Sequence, residues 1–176
     1  MQSQLSQKER MFLEDLKSEE ELCVTKYKAY AQQTQDSELS QLFNKLSSEE
    51  HKHYDTVNQM LQGNMQSGGQ GKSGQQGQNA GKTNMQGLQS VQLGGQMAQN
   101  AGQSKSQVSS GNSSDKTLLH DMLSTEKYVS SSYDKSIFES AQPTVRQALQ
   151  QIQKDEQGHG EQLFQYMNSH GMYQVQ

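Results

Sequence analysis

The chain has 176 residues, of which only 30% are apolar and 6% aromatic, so a single globule that fills its whole length is excluded. Its 15 Lys and Arg against 19 Asp and Glu give a net charge of -4, which excludes functions that depend on a basic surface. We therefore expect no nucleic acid and no anionic membrane as a partner. Cys23 is the only cysteine, so an intramolecular disulfide and a thiolate-rich metal site are excluded too.

The composition divides the chain into three regions. Residues 1–62 and 115–176 mix apolar and charged side chains, whereas Gly, Gln, Ser and Asn make up 38 of the 52 residues of 63–114. The few apolar residues of that middle region cannot offset the entropy lost on ordering it. The sequence therefore predicts an N-terminal helical hairpin at 1–62, a disordered, flexible low-complexity linker at 63–114 and a C-terminal helical hairpin at 115–176.

The apolar residues of both outer regions recur at intervals of three and four, the spacing that gives an α-helix one apolar face. Asp36 or Ser37 stands where a helix cap is expected, and Pro143 lies near a predicted helix start. The predicted helices span 5–32, 37–62, 115–139 and 143–168. At about 1.5 Å per residue each is roughly 38 Å long, and two such hairpins predict an all-α four-helix bundle.

The two hairpins are copies of each other. An offset of 106 residues aligns them without a gap. It pairs identical residues at Leu13/Leu119, Asp15/Asp121, Ser18/Ser124, Glu20/Glu126, Tyr27/Tyr133, Gln41/Gln147, Glu50/Glu156, His53/His159 and Gln59/Gln165. This internal repeat predicts a bundle with two-fold pseudo-symmetry.

Six ionisable residues interrupt the apolar stripes at equivalent positions of the two copies. Each copy has one glutamate and, 30 residues later, a Glu-x-x-His motif that places both side chains on one helix face. The six are Glu20, Glu50, His53, Glu126, Glu156 and His159. A buried carboxylate costs several kcal/mol unless it is paired or neutralised, and two divalent cations balance four glutamates. The pattern is that of the di-iron and di-manganese carboxylate bundles, so we predict a site for two iron or manganese ions.

A metal-free interpretation of the same residues stays open. The six side chains can form a buried hydrogen-bonded layer in which the glutamate pKa values are raised. Gly158 and Gly160 flank His159, and each costs about 1 kcal/mol in a helix interior. They indicate either a loosened helix at the site or simple sequence drift.

We expect ordinary structural roles for the residues beside the apolar helix faces and for the tyrosines and the cysteine within them. We expect solvated or surface positions for Glu19, Glu21, Glu49, His51, His120 and His170, which rotate off the apolar faces. For Tyr27 and Tyr133 we favour core packing over a redox or ligand-tuning role. Cys23 lies in the stripe and is interpreted as a small buried hydrophobe.

The C-terminal hairpin resembles a known family. The segment DMLSTEKYVSSSYDKSIFESAQPTVRQALQQIQKDEQGHGEQLFQYMNSHGMY, residues 121–173, is similar to the Coat F family of spore coat proteins from endospore-forming bacteria, and residues 11–62 resemble the same unit more loosely. The resemblance implies a ferritin-like bundle, with Glu50 and Glu156 bridging two metals and the other four predicted ligands terminal.

This resemblance favours a structural or interaction component of the spore coat, with other coat proteins as partners. The ligand set favours an alternative, a di-iron or di-manganese oxidoreductase acting on peroxide or dioxygen, and iron storage ranks well below both. No apolar run behind the N-terminal MQSQLSQKER resembles a signal peptide, and none elsewhere is long enough to span a membrane. We expect cytoplasmic synthesis followed by deposition in the coat.

The linker raises two further expectations. Because each hairpin is nearly self-complementary, hairpins of two chains can exchange, which predicts a homodimer in equilibrium with the monomer. The linker also combines many glutamines with Lys72, Lys82 and Lys105. It is either a solubilising spacer, which its composition favours, or a substrate for transglutaminase cross-linking.

Overall fold

A computed structural model of the protein describes residues 5–64 and 108–173, and all regular secondary structure in these two ranges is helical. The helices are α1 (Gln7–Gln33), α2 (Ser37–Leu61), α3 (Val108–Glu139) and α4 (Pro143–Ser169). The all-α prediction is confirmed. The ends of α1, α2 and α4 agree with the predicted ends within two residues, which is the usual uncertainty of a helix boundary.

The start of α3 corrects the sequence prediction. The helix begins at Val108, whereas the sequence placed 108–114 in the linker because the Gly, Gln, Ser and Asn composition of 63–114 extends to residue 114. Extending a helix that is already nucleated and packed costs much less than starting one, which explains the extra turns. The remainder of the predicted linker, 65–107, lies outside the described residues, as do Lys72, Lys82 and Lys105.

Side chains cap the helices of the first hairpin. The Ser6 hydroxyl accepts a hydrogen bond from Glu9 N at 3.1 Å, and Glu9 Oε2 accepts one from Ser6 N at 2.8 Å, which together form a capping box. Asp36 Oδ1 accepts hydrogen bonds from the backbone at the start of α2, as predicted. The buried Glu9 also accepts a hydrogen bond from Ala141 N at 2.8 Å, which joins α1 to the turn between α3 and α4.

Each helix packs on two neighbours: α1 contacts α2 and α3, and α4 contacts α3 and α2. Lys8 pairs with Glu139 and Lys26 with Asp121, so α1 and α3 run antiparallel. Since α1 and α2 form a hairpin, α2 and α3 are parallel and lie diagonally across the bundle. Both hairpins assemble within one chain, and the four-helix bundle is confirmed.

The core consists of two apolar clusters. Cluster 1 joins the end of α1 and the start of α2 to the start of α3 and the end of α4. It contains Tyr27, Ala31, Leu39, Phe43, Leu46, Leu118, Leu119, Met122, Leu123, Leu163, Tyr166, Met167 and Met172. Cluster 2 fills the opposite half and contains Leu13, Leu16, Cys23, Val57, Met60, Val129, Tyr133, Ile137, Val145, Leu149 and Ile152. The six predicted ligands lie between the two clusters.

Candidate metal centre

The bundle brings all six predicted ligands together in one buried layer, which we call the ligand layer. Each of the four helices contributes at least one of them, because the repeat places equivalent residues at equivalent levels of the two hairpins. Their exposed fractions are 0% for Glu20, Glu50 and Glu156, 2% for Glu126 and His159, and 6% for His53. Buried carboxylates at this density are rare in proteins without a counter-charge.

The two histidines face carboxylates from several helices. His53 Nδ1 lies 2.8 Å from Glu156 Oε1, 3.3 Å from Glu50 Oε2 and 3.8 Å from Glu20 Oε2. His159 Nδ1 lies 2.8 Å from Glu50 Oε1 and 3.9 Å from Glu126 Oε2. Glu50 thus contacts both imidazoles from the centre of the layer, while Glu20 and Glu126 approach from opposite sides.

The layer is compact enough to hold metal ions. One donor atom from each of Glu50, His53, Glu156 and His159 lies within 4.8 Å of the others. The imidazole rings of the two histidines are stacked, with their centroids 5.4 Å apart. Carboxylate oxygens and imidazole nitrogens are ligands that iron and manganese accept.

Several carboxylate oxygens of the layer have no hydrogen-bond donor. These buried atoms are Glu20 Oε2, Glu126 Oε2 and both side-chain oxygens of Glu156; the Nδ1 of His53 is close to Glu156 Oε1 but does not donate a well-directed hydrogen bond to it. A buried oxygen without a donor costs free energy, and a bound cation satisfies it. The donor set and the unpartnered oxygens therefore fit a bound metal ion.

Two tyrosines tie the ligand layer across the hairpins. The Tyr27 hydroxyl on α1 donates to Glu126 Oε1 on α3, and the Tyr133 hydroxyl on α3 donates to Glu20 Oε1 on α1. Both rings are fully buried, as core packing predicts. The hydroxyl contacts go beyond that prediction, because each tyrosine also fixes the carboxylate of the other half.

A second pair of carboxylates lies behind the histidines. Glu49 Oε2 is 3.1 Å from His159 Nε2, and Asp155 Oδ2 is 3.7 Å from His53 Nε2. Glu49 and Asp155 occupy equivalent positions of the repeat. A carboxylate on one imidazole nitrogen leaves the other nitrogen free to face a metal, here Nδ1.

Two of the residues that were predicted to be solvated are half-buried in the structure. Glu49 is half-buried against His159, and Glu19 is half-buried and accepts a hydrogen bond from the Ser132 hydroxyl at 3.0 Å. Both lie at the border of the apolar face, where the neighbouring hairpin covers them. Glu21, His51 and His120 are exposed as predicted, and His170 is half-exposed with its ring stacked on Tyr166.

Burial and mutual repulsion control the protonation of the two outer glutamates. Burial, followed by the charges of Glu156 and Glu50, raises the pKa of Glu20 well above its usual range. The same causes raise the pKa of Glu126. In the metal-free protein these two carboxyls therefore favour the protonated form.

At the centre of the layer the pKa shifts favour the charged forms of the side chains. Although burial opposes the change, hydrogen bonds from His159 and His53 lower the pKa of Glu50 to about 2. Burial likewise opposes the charging of His53, but Glu156 and Glu50 raise its pKa to about 10, and Glu50 raises that of His159. The metal-free layer therefore takes its positive charge from imidazolium groups, which a metal would replace.

Cys23 lies in cluster 2 and is fully buried. Burial, followed by the surrounding glutamates, raises the pKa of its thiol. The thiol therefore stays protonated and does not act as a thiolate ligand. The interpretation of Cys23 as a small buried hydrophobe is confirmed.

The C-terminal hairpin matches a known family. Residues 114–176 match the family model described as the Coat F domain, which confirms the resemblance stated from the sequence. No curated protein and no solved structure matches the chain, and the relation to ferritin-like proteins stays a prediction. Among the helices that the structure describes, none is long and apolar enough to cross a membrane.

Proposed function

We propose that this chain, which carries a Coat F domain in its C-terminal hairpin, is a structural and interaction component of the bacterial spore coat built on a ferritin-like bundle that holds two divalent metal ions. The Coat F match supports the coat role. The ligand layer supports the metal role, because it gathers four buried glutamates and two histidines and leaves several of their oxygens without a hydrogen-bond donor.

The proposal gives each metal its own ligands. Glu20 and His53 would hold one ion and Glu126 and His159 the other, with Glu50 and Glu156 shared by both. The distances from each histidine Nδ1 to the surrounding carboxylates support this division. Bound metals would supply positive charge to the centre of the bundle, and the chain's own residues set the geometry of the ligands. Glu49 and Asp155 orient the imidazoles, and Tyr27 and Tyr133 hold the outer carboxylates.

Metal analysis tests the metal role. Protein purified from iron- or manganese-containing medium should hold about two metals per chain, as the ligand count of a di-metal bundle requires. Glu50→Ala combined with Glu156→Ala should abolish binding, whereas the exposed pair Glu21→Gln and Glu161→Gln should leave the stoichiometry unchanged. A folded protein that stays metal-free after reconstitution contradicts this role and leaves the hydrogen-bonded layer as the interpretation.

Fractionation of spores tests the coat role. In an endospore-forming bacterium that encodes this chain, we expect it in the extracted coat layer together with other coat proteins. Chemical cross-linking in intact spores should identify those partners. Recovery of the chain only from the soluble fraction of vegetative cells contradicts the coat role.

Hairpin exchange supplies a route to self-assembly in this proposal. The contacts that join the two hairpins, such as Lys26 with Asp121 and Glu9 with Ala141, can form equally well between two chains. Light scattering over a hundredfold dilution should show a shift between dimer and monomer. A single mass at all concentrations argues against exchange.

The alternative function, an oxidoreductase acting on peroxide or dioxygen, is favoured by the same ligand set. The Coat F match does not favour it, so it ranks second. Peroxide consumption by the metal-loaded protein distinguishes the two: the coat proposal expects no turnover that depends on Glu50 and Glu156.

A further inference from the structure

A surface opening between α3 and α4 reaches the ligand layer. It has a volume of about 360 Å³, and its lining includes Leu123, Gly160 and the two carboxylates Glu126 and Glu156. These carboxylates are 2% and 0% exposed. The opening therefore leads from solvent to side chains that are otherwise enclosed by the bundle.

The opening exists where one copy of the repeat lacks a side chain. Gly160 is equivalent to Tyr54 in the first hairpin, and Leu123 is equivalent to Lys17. There, Lys17 Nζ lies 5.2 Å from the centroid of the Tyr54 ring, so an aromatic ring covers the equivalent surface. At Gly160 a Cβ would meet only Leu123 Cδ1, at 3.7 Å. The two faces of the pseudo-symmetric bundle thus differ in what covers them, with the Tyr54 ring on one and Gly160 on the other.

The carboxylates that line the opening have oxygens that can bind a cation. Glu126 Oε2 and both side-chain oxygens of Glu156 are buried without a hydrogen-bond donor. Lys127 stands at the rim but is exposed, where water and salt screen its charge. A cation that enters meets Glu126 Oε2 and Glu156 Oε2, which accept no hydrogen bond, while Glu156 Oε1 faces His53 Nδ1. Carboxylate oxygens attract a cation more strongly in a low-dielectric interior than in water.

The groove on the histidine side of the layer offers less to a cation. It lies between α2 and α4, and its lining includes the predicted ligands His53 and His159 beside Lys52, Lys154 and Gly158. Its acidic groups, Glu49 and Asp155, are already paired with the Nε2 atoms of the histidines. A cation that enters here meets imidazoles whose Nε2 atoms already face carboxylates, and it would have to displace these contacts before it could bind.

We infer that the opening at Gly160 is the route by which divalent metal ions enter the ligand layer, with Glu126 and Glu156 as the first ligands they meet. The inference rests on the proposed metal binding and adds its pathway. It assigns a reason to the glycine at position 160 in the interior of α4, since a larger side chain at this position would close the route.

Uptake kinetics of Mn²⁺ test the route with three substitutions on α4. Gly160→Tyr places in the second hairpin the residue that the first hairpin has, and Gly158→Tyr puts the same ring on the groove beside the histidines. Gly160→Ala changes the helix without filling the opening. All three replace a helix-interior glycine and gain up to about 1 kcal/mol of helix propensity, so we expect all three variants to fold. Loss of the free Mn²⁺ spin-resonance signal after mixing reports the rate, and elemental analysis reports the final stoichiometry.

We expect Gly160→Tyr to slow uptake by at least about tenfold, a rate change that corresponds to about 1.4 kcal/mol in the barrier, with an unchanged final metal content. Gly158→Tyr and Gly160→Ala should load at the wild-type rate. Equal rates for all variants, or slowing only in Gly158→Tyr, overturn the route while the metal role stands. A wild-type chain that takes up no Mn²⁺ or Fe²⁺ overturns both.

Discussion

Met122 and Glu126 lie one helical turn apart on α3, and both are buried. They belong to two regions whose contributions to stability depend differently on pH and on bound metal. Met122 belongs to cluster 1, where apolar burial stabilises the fold at any pH. Glu126 belongs to the ligand layer, whose stability depends on protonation or on bound metal. The comparison teaches that the two apolar clusters hold the bundle together, while the layer between them makes it responsive to its surroundings.

The largest effect should come from the apolar clusters. Phe43 is fully buried in cluster 1, and Phe43→Ala should lower the free energy of unfolding by about 3–5 kcal/mol, since both burial and packing are lost. Phe138 is 82% exposed, so Phe138→Ala should change it by less than about 0.5 kcal/mol. Denaturant unfolding measures both. Similar values for the two variants would show that cluster 1 does not carry the stability.

Titration of the ligand layer should change the stability of the metal-free protein by an intermediate amount. The raised pKa of His53 means that its contribution is complete below the unfolded value of about 6.5 and is lost as the pH rises towards about 10. The raised pKa values of Glu20 and Glu126 act in the same direction above about pH 4.5. The metal-free protein should therefore lose of the order of a few kcal/mol between neutral and alkaline pH.

Thermal unfolding across this pH range measures the loss. His53→Gln should flatten the profile, whereas the exposed His51→Gln should not. Bound metal replaces the imidazolium charge, so the metal-loaded protein should lose less stability at alkaline pH. A metal-free protein that is equally stable at pH 6 and pH 10 would contradict the charge balance described for the layer.

The smallest effect concerns the boundary between the two regions. The Tyr27 ring belongs to cluster 1 and its hydroxyl donates to Glu126, so Tyr27→Phe keeps the packing and removes one hydrogen bond. We expect a loss of about 1 kcal/mol, detected by denaturant unfolding. Tyr128→Phe, at a position that is 66% exposed, is the matched control and should have no measurable effect. A loss of several kcal/mol in Tyr27→Phe would place the hydroxyl among the main determinants of stability.

Much of the ligand layer could be predicted from the sequence, because helix periodicity alone decides which residues share a face. Glu50 and His53 are three residues apart, and the repeat offset transfers the same face to Glu156 and His159. The acidic pair behind the histidines was missed. The repeat contained a signal for it, since Glu49 and Asp155 are both acidic at equivalent positions.

Other features could not be read from one helix at a time. The contacts of Tyr27 with Glu126 and of Tyr133 with Glu20 depend on how α1 slides along α3, and periodicity carries no information on that register. The start of α3 at Val108 depends on helix propagation into residues of low propensity. The opening at Gly160 depends on what covers the equivalent face, which required the packed bundle.

Glu9 joins two local events into one cooperative unit. One carboxylate closes the capping box of α1 with Ser6 and accepts the Ala141 amide from the turn of the other hairpin. If the first turn of α1 frays, the turn between α3 and α4 loses the acceptor of its Ala141 amide. If the second hairpin undocks, the capping box of α1 loses the contact that restrains Glu9. The amide of Ala141 thus reports on the contact between the α1 end and the second hairpin, and its hydrogen exchange should follow the subglobal unfolding of the α1 end rather than the local motion of a loop.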